Sequence, residues 1–205
     1  MSIVATGSIS TYFHEVVGDA IKARHVEATD GATTYLVGLL SDYARPDPRA
    51  DETLARPLAF LLSEAMQTPA PAERFDKLRT LGDGVLYSCG FFPDHFAARG
   101  VDQSYLINIG TTAYGAAAGI LRVPATHTDK GGPRLDIYRE LADNFRAFVG
   151  VLIEIADRSI SAGVKGSKDL VRVYERWLKT GSDGLAQALA AHGLVPVRGT
   201  KGTLQ

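Results

Sequence analysis

Apolar residues recur along this chain at intervals of three and four, the spacing that puts them on one face of an α-helix. The first such run has Ser8 or Ser10 as its cap and extends to about Ala28, with Phe13, Val16, Val17, Ala20 and Ile21 on the inner face. Thr29-Asp30-Gly31 breaks or caps the chain there. A second helix, about 32–44, carries Tyr35, Leu36, Leu39 and Leu40 inward and stops before Arg45-Pro46-Asp47-Pro48. Asp51–Leu54 makes at most a short turn. Leu58, Leu61, Leu62, Ala65 and Met66 predict a third helix opening at Arg56-Pro57, where proline suits a first turn.

A long apolar pattern then runs from about Ala72 to Phe92, ends at Pro93, and is followed by a turn over Asp94–Arg99 closed by Gly100. Asp102 caps a helix ending near Arg122. Pro124, Gly131, Gly132 and Pro133 mark 123–133 as a surface loop. Ile137, Leu141, Phe145, Phe148, Leu152 and Ile155 predict one long helix over about 135–161, the central element of a bundle. Ser167 caps a helix to Lys179 that buries Leu170, Val173, Tyr174, Trp177 and Leu178. Ser182 caps the last helix, which closes at Gly193 with Leu194 behind it. The tail 199–205 carries no pattern and is expected to be flexible, and Val195–Val197 is too short for a sheet. The expectation is an all-α, irregular single-domain bundle of seven or eight helices over residues 1–198.

Composition changes little in that picture. An apolar share of 45% and a charged share of 22% over 205 residues suit one globular domain. A single cysteine forms no internal disulfide, and the opening residues lack the basic-then-apolar order of a signal peptide, so cytoplasmic residence is expected. No apolar run reaches the roughly 18 residues of a membrane-spanning helix. Fifteen arginines against seven lysines suit a GC-rich bacterial source. Charge is unevenly placed. Residues 1–157 carry 14 basic and 20 acidic side chains, residues 158–205 carry 8 and 3, a balance of −6 against +5.

Glycine changes it more. Residues 81–119 contain Gly82, Gly84, Gly90, Gly110, Gly115 and Gly119 within helical pattern, each costing about 1 kcal/mol relative to alanine. Gly115 and Gly119, flanked by Ala116–Ala118, predict a close helix–helix approach, or room for a ligand. The same stretch supplies the pocket candidates Asp83, Tyr87, Asp94, His95, Tyr105 and Tyr114. Gly82-Asp83-Gly84 is no phosphate loop, because neither GxGxxG nor GxxxxGK[ST] surrounds it. Cys89 sits on an apolar stripe and reads as core rather than as a nucleophile served by His95. His14 and His25 share a face but stand about 16 Å apart along a helix at ~1.5 Å per residue, too far for one metal ion. No metal or cofactor is expected.

Lys168, Arg172 and Arg176 recur every four residues, with Lys179 beside them, as a basic stripe opposite the apolar face. Such a stripe is a solvated face or meets an acidic protein; no nucleic-acid motif accompanies it. Three functions remain open. The first is a non-enzymatic regulatory module binding a protein or a small apolar ligand, and forming a homo-oligomer. The second is a bundle enzyme or cofactor protein with a site near Asp83, His95 and Tyr105. The third is nucleic-acid binding through 167–179, the least favoured.

Overall fold

A computed structural model describes residues 3–44, 56–121, 136–164 and 166–197. The expected turn at 51–54, the loop 123–133 and the tail 199–205 lie outside the described residues. Every element among the described residues is a helix, and no strand occurs among them. In order these are α1 (Ile3–Ala23), α2 (Asp30–Tyr43), α3 (Leu58–Gln67), α4 (Pro71–Phe91), α5 (Pro93–Ala97), α6 (Gln103–Leu121), α7 (Ile137–Asp143), α8 (Phe145–Ala162), α9 (Ser167–Thr180) and α10 (Asp183–Ala191). The fold is all-α. No described helix is long and apolar enough to cross a membrane.

Local chemistry sets most of the ends. α1 starts at Ile3, ahead of either serine, and stops at Ala23, five residues before the expected end. His25 takes a left-handed conformation (φ 50°), the Val26 N–H donates to the Ile21 carbonyl, and the His25 N–H donates to that of Lys22. This paired reverse bonding is the usual glycine-closed helix end, made here with histidine. At α10 the same motif uses Gly193 (φ 79°), as its position in the sequence predicts. Thr29 caps α2 by accepting from the Ala32 N–H at 3.2 Å. Pro71 is the first residue of α4. The Asp102 carboxylate accepts from the Ser104 N–H at 2.7 Å at the head of α6.

The expected long helix over 135–161 is two helices, α7 and α8, separated at Asn144 (φ −104°, ψ 18°). Asn144 leaves the helical region while its N–H still bonds to the Glu140 carbonyl, so the apolar spacing runs through the break. Asparagine is a poor helix former. Ser167 is the first residue of α9 rather than its cap, which is Gly166.

The described residues group into two compact units, 1–152 and 153–205, with the boundary inside α8. In the first, α4 packs along α6, α7 packs on α6 and α2, and α3 lies against α4 and α6. Ala65, Leu78 and Ala117 meet there, with Leu62, Phe75, Ile120 and Tyr138 around them. In the second, α9 and α10 enclose Val173, Trp177, Leu185 and Leu189.

The glycines that admit a neighbour are not those of the Gly115/Gly119 pair. A β-carbon at Gly119 meets nothing within 4 Å, and one at Gly115 only just reaches Ala142. Gly110 instead receives the Phe145 ring, Gly90 receives Leu152, and Gly82 receives the Tyr114 ring. The close approach is of a large side chain onto a helix backbone, not of one small-residue face onto another.

Candidate functional site

Asp83 stands on the inner side of α4, 8% exposed. A carboxylate removed from water needs donors, and the neighbouring helices bring them. The Tyr35 hydroxyl, from α2, donates to Asp83 Oδ1 at 2.5 Å. The Tyr114 hydroxyl, from α6, donates to the same oxygen at 2.7 Å. Arg79, one turn earlier on α4, places Nη1 3.4 Å from Oδ2. Tyr138 of α7 closes the group, its ring edge-on to Tyr35 at 5.5 Å and to Phe75 at 5.1 Å. Tyr114 is fully buried between this cluster and Phe145.

The electrostatics follow from burial. Desolvation pushes the Asp83 carboxyl above the usual carboxylate range, against the two tyrosine hydroxyls and Arg79, which pull it down. Burial and the Asp83 charge together hold Tyr35 and Tyr114 well above the ordinary phenol range. Tyr138 is raised as well, chiefly by desolvation. These hydroxyls are therefore neutral donors at physiological pH, and none supplies a phenolate base. Both Asp83 oxygens are already engaged. The arrangement ties α2, α4 and α6 together through one carboxylate, and α7 joins through the ring of Tyr138.

A second polar contact between distant segments lies close by in the chain. Glu140 of α7 accepts from the Thr29 N–H at 2.8 Å and from the Thr29 hydroxyl at 2.5 Å. It thus places a carboxylate at the N-terminus of α2, where the helix dipole favours negative charge.

The six pocket candidates of the sequence separate in space. Asp83 and Tyr114 come together. Tyr87, one turn beyond Asp83, stacks on Tyr43 at 4.2 Å and Phe91 at 4.7 Å between ring centroids, and burial raises its hydroxyl. Tyr105 accepts from the Ala59 N–H at 3.2 Å, half-exposed against the start of α3. His95 is exposed on α5 beside Phe96. The side chain of Asp94 lies outside the described residues. Cys89 is buried, and desolvation pushes its thiol up to about 12. His14 and His25 are exposed. Among the described residues no three His, Cys, Asp or Glu side chains are grouped to hold a metal ion.

The basic helix also differs from its expected form. Lys168, Arg172 and Lys179 are exposed on α9, but Arg176 is 7% exposed and its Nε lies 2.8 Å from Asp157 Oδ1. Asp157 is 1% exposed, and desolvation raises its carboxyl against the pull of Arg176. At 100° per residue Arg176 falls beside Val173 and Trp177, so it is drawn inward with them. Tyr174 and Leu178, expected in the core, are 37% and 45% exposed, and Val171 is 55% exposed. The apolar arc of α9 is wider than the surface that covers it. Val171, Tyr174 and Leu178 lie within about 60° of one another, and Glu175, Lys168, Lys179 and Arg172 take the next 60° or so.

Sequence reasoning missed Tyr35, Arg79, Tyr138 and Glu140 as members of polar groups, and Asp157 as the partner of Arg176. One signal was available: Arg79 precedes Asp83 by four residues, the spacing of a helical ion pair. Comparison with known protein families, curated proteins and solved structures gave no match to this chain.

Proposed function

We propose that this chain is a non-enzymatic protein-binding module, and that its docking face is the exposed stripe of α9. One observation carries the reading: Val171, Tyr174 and Leu178 form an uncovered apolar strip edged by Lys168 and Arg172. Apolar residues at i, i+3 and i+7 are what helix-in-groove and helix-on-helix recognition uses, with an aromatic and an arginine as natural anchors. The withdrawal of Arg176 into an ion pair shortens the basic stripe, which favours a protein over a nucleic acid. The Asp83 group supports a scaffold role for the first unit, since its donors and acceptors are spent on one another. A reducing compartment, the cytoplasm, suits the single buried thiol.

A photoreactive amino acid placed at position 174 tests this directly, with the exposed position 12 as control. Irradiation in whole-cell extract is expected to give a protein adduct at 174 and none at 12. A chain that forms no adduct at 174 does not use this face.

A further inference from the structure

Resting on that reading, we infer that the partner covers the α9 face with an acidic amphipathic helix, apolar along one seam and carrying carboxylates beside it. The shape of the strip asks for a helix. Val171, Tyr174 and Leu178 follow one another at intervals of three and four residues. They run about 10 Å along the axis and occupy about 60° of its circumference. A seam that narrow matches the seam of a second helix, whose side chains fall at the same intervals.

Charge sets the partner's sign. Beside the strip, the exposed arc of α9 reads Lys168, Arg172, Glu175, Lys179, three cations and one acid. This arc opposes itself. Turned antiparallel onto a second copy, it sets Lys168 on Lys179 for each Arg172 that it sets on Glu175, so self-pairing gains no net attraction. An acidic helix meets three attractive positions and one repulsive one, which is the complementarity that selects partners. Nucleic acid would engage the cations through its phosphates and leave Val171, Tyr174 and Leu178 uncovered. A helix lying in a membrane surface sinks its whole apolar face, whereas Val173 and Trp177 of α9 are already covered in the core of the second unit.

The test is fluorescence anisotropy of two labelled synthetic peptides titrated with the full chain at low salt. Both are helices of about five turns with leucine along a seam of three-and-four spacing. One carries glutamate on the flanks and the other lysine at the same positions. The glutamate peptide is expected to bind roughly tenfold or more tightly than the lysine peptide, and the difference should shrink as salt is added. In Lys168→Glu/Arg172→Glu the preference should reverse. Glu175→Lys should instead tighten the glutamate peptide about threefold, since a like-charge contact becomes an attractive one. All three substitutions are at exposed positions, and unchanged helical circular dichroism confirms that each variant folds. A chain that binds neither peptide at millimolar concentration overturns the proposal, as does one that binds both alike or variants that leave the preference where it was. Tighter binding to a DNA duplex or to phosphatidylserine vesicles than to the glutamate peptide also overturns it, and so does a dimer in sedimentation that Arg172→Glu dissolves. A chain that fails in any of these ways but still cross-links another protein through position 174 loses the acidic helix and keeps the docking face. Failure of the cross-link as well removes both.

Discussion

Asp83 is bonded from both sides, yet the fold makes its charge costly. Its carboxyl is raised in the folded chain relative to the roughly 3.9 of an unfolded aspartate, and desolvation is the main cause. The stability it contributes is therefore full below that unfolded value and is lost as pH rises through the folded pKa. Asp83→Asn keeps an acceptor for both tyrosine hydroxyls and cannot ionise. Urea unfolding across a pH series should show this variant losing less stability between about pH 4 and neutrality than the wild type. Its one loss, the long contact with a partly exposed Arg79, is worth under about 1 kcal/mol. Asp83→Leu instead removes the carboxylate acceptor of the Tyr35 and Tyr114 hydroxyls and should cost about 1–3 kcal/mol at any pH. Cys89 offers a second check at this scale. A buried thiol pushed up to about 12 should resist alkylation at pH 8 in the native chain and react at once in denaturant. Its burial was legible from the apolar stripe it occupies. The Asp83 group was half legible: Asp83 and Tyr114 stood out as polar residues in an apolar stretch. Tyr35 and Tyr138 did not, because a tyrosine at a core position of a helix looks the same whether or not its hydroxyl finds a partner.

Among the elements, helix existence and most boundaries were readable from spacing, proline and caps. What spacing could not show was which neighbour fills each glycine notch. Gly110 and Gly119 lie on the same helix, the first buried under a neighbouring ring and the second exposed near its C-terminal end. Gly110→Ala must displace the Phe145 ring and should destabilise by about 1–3 kcal/mol, less what alanine returns in helix propensity. Gly119→Ala meets open space and should stabilise by up to about 1 kcal/mol. Thermal melts of the two variants separate them by sign. α9 shows the complementary limit. Its periodicity identified the apolar arc correctly, but the covered width of that arc depends on α10 and on Asp157, whose positions no local pattern encodes.

At the scale of the whole molecule, the described residues group into two units, and the tryptophan reports on the second. Trp177 is the only tryptophan in the sequence and lies in the core of the second unit. Arg176→Met leaves Asp157 buried without its cation and should lower tryptophan-detected stability by about 3 kcal/mol or more. Arg172→Met, one turn away on the exposed side, should stay within about 0.5 kcal/mol. The charge imbalance between residues 1–157 and 158–205 was plain in the sequence, but the division into two contact units was not, since the boundary falls inside a helix with no proline, glycine run or linker to mark it.

The tyrosine cluster also sets an order of events as the chain leaves the ribosome. Its members come from positions 35, 83, 114 and 138, and Glu140 reaches back 111 residues to Thr29. Contacts of such separation form slowly, and during synthesis they form last. Until α7 emerges, Tyr35 lacks its neighbour Tyr138 and the head of α2 lacks its carboxylate. The α2 side of the first unit is therefore completed only when α7 has been made, and a nascent chain stalled before residue 137 holds α2 waiting for a partner not yet made.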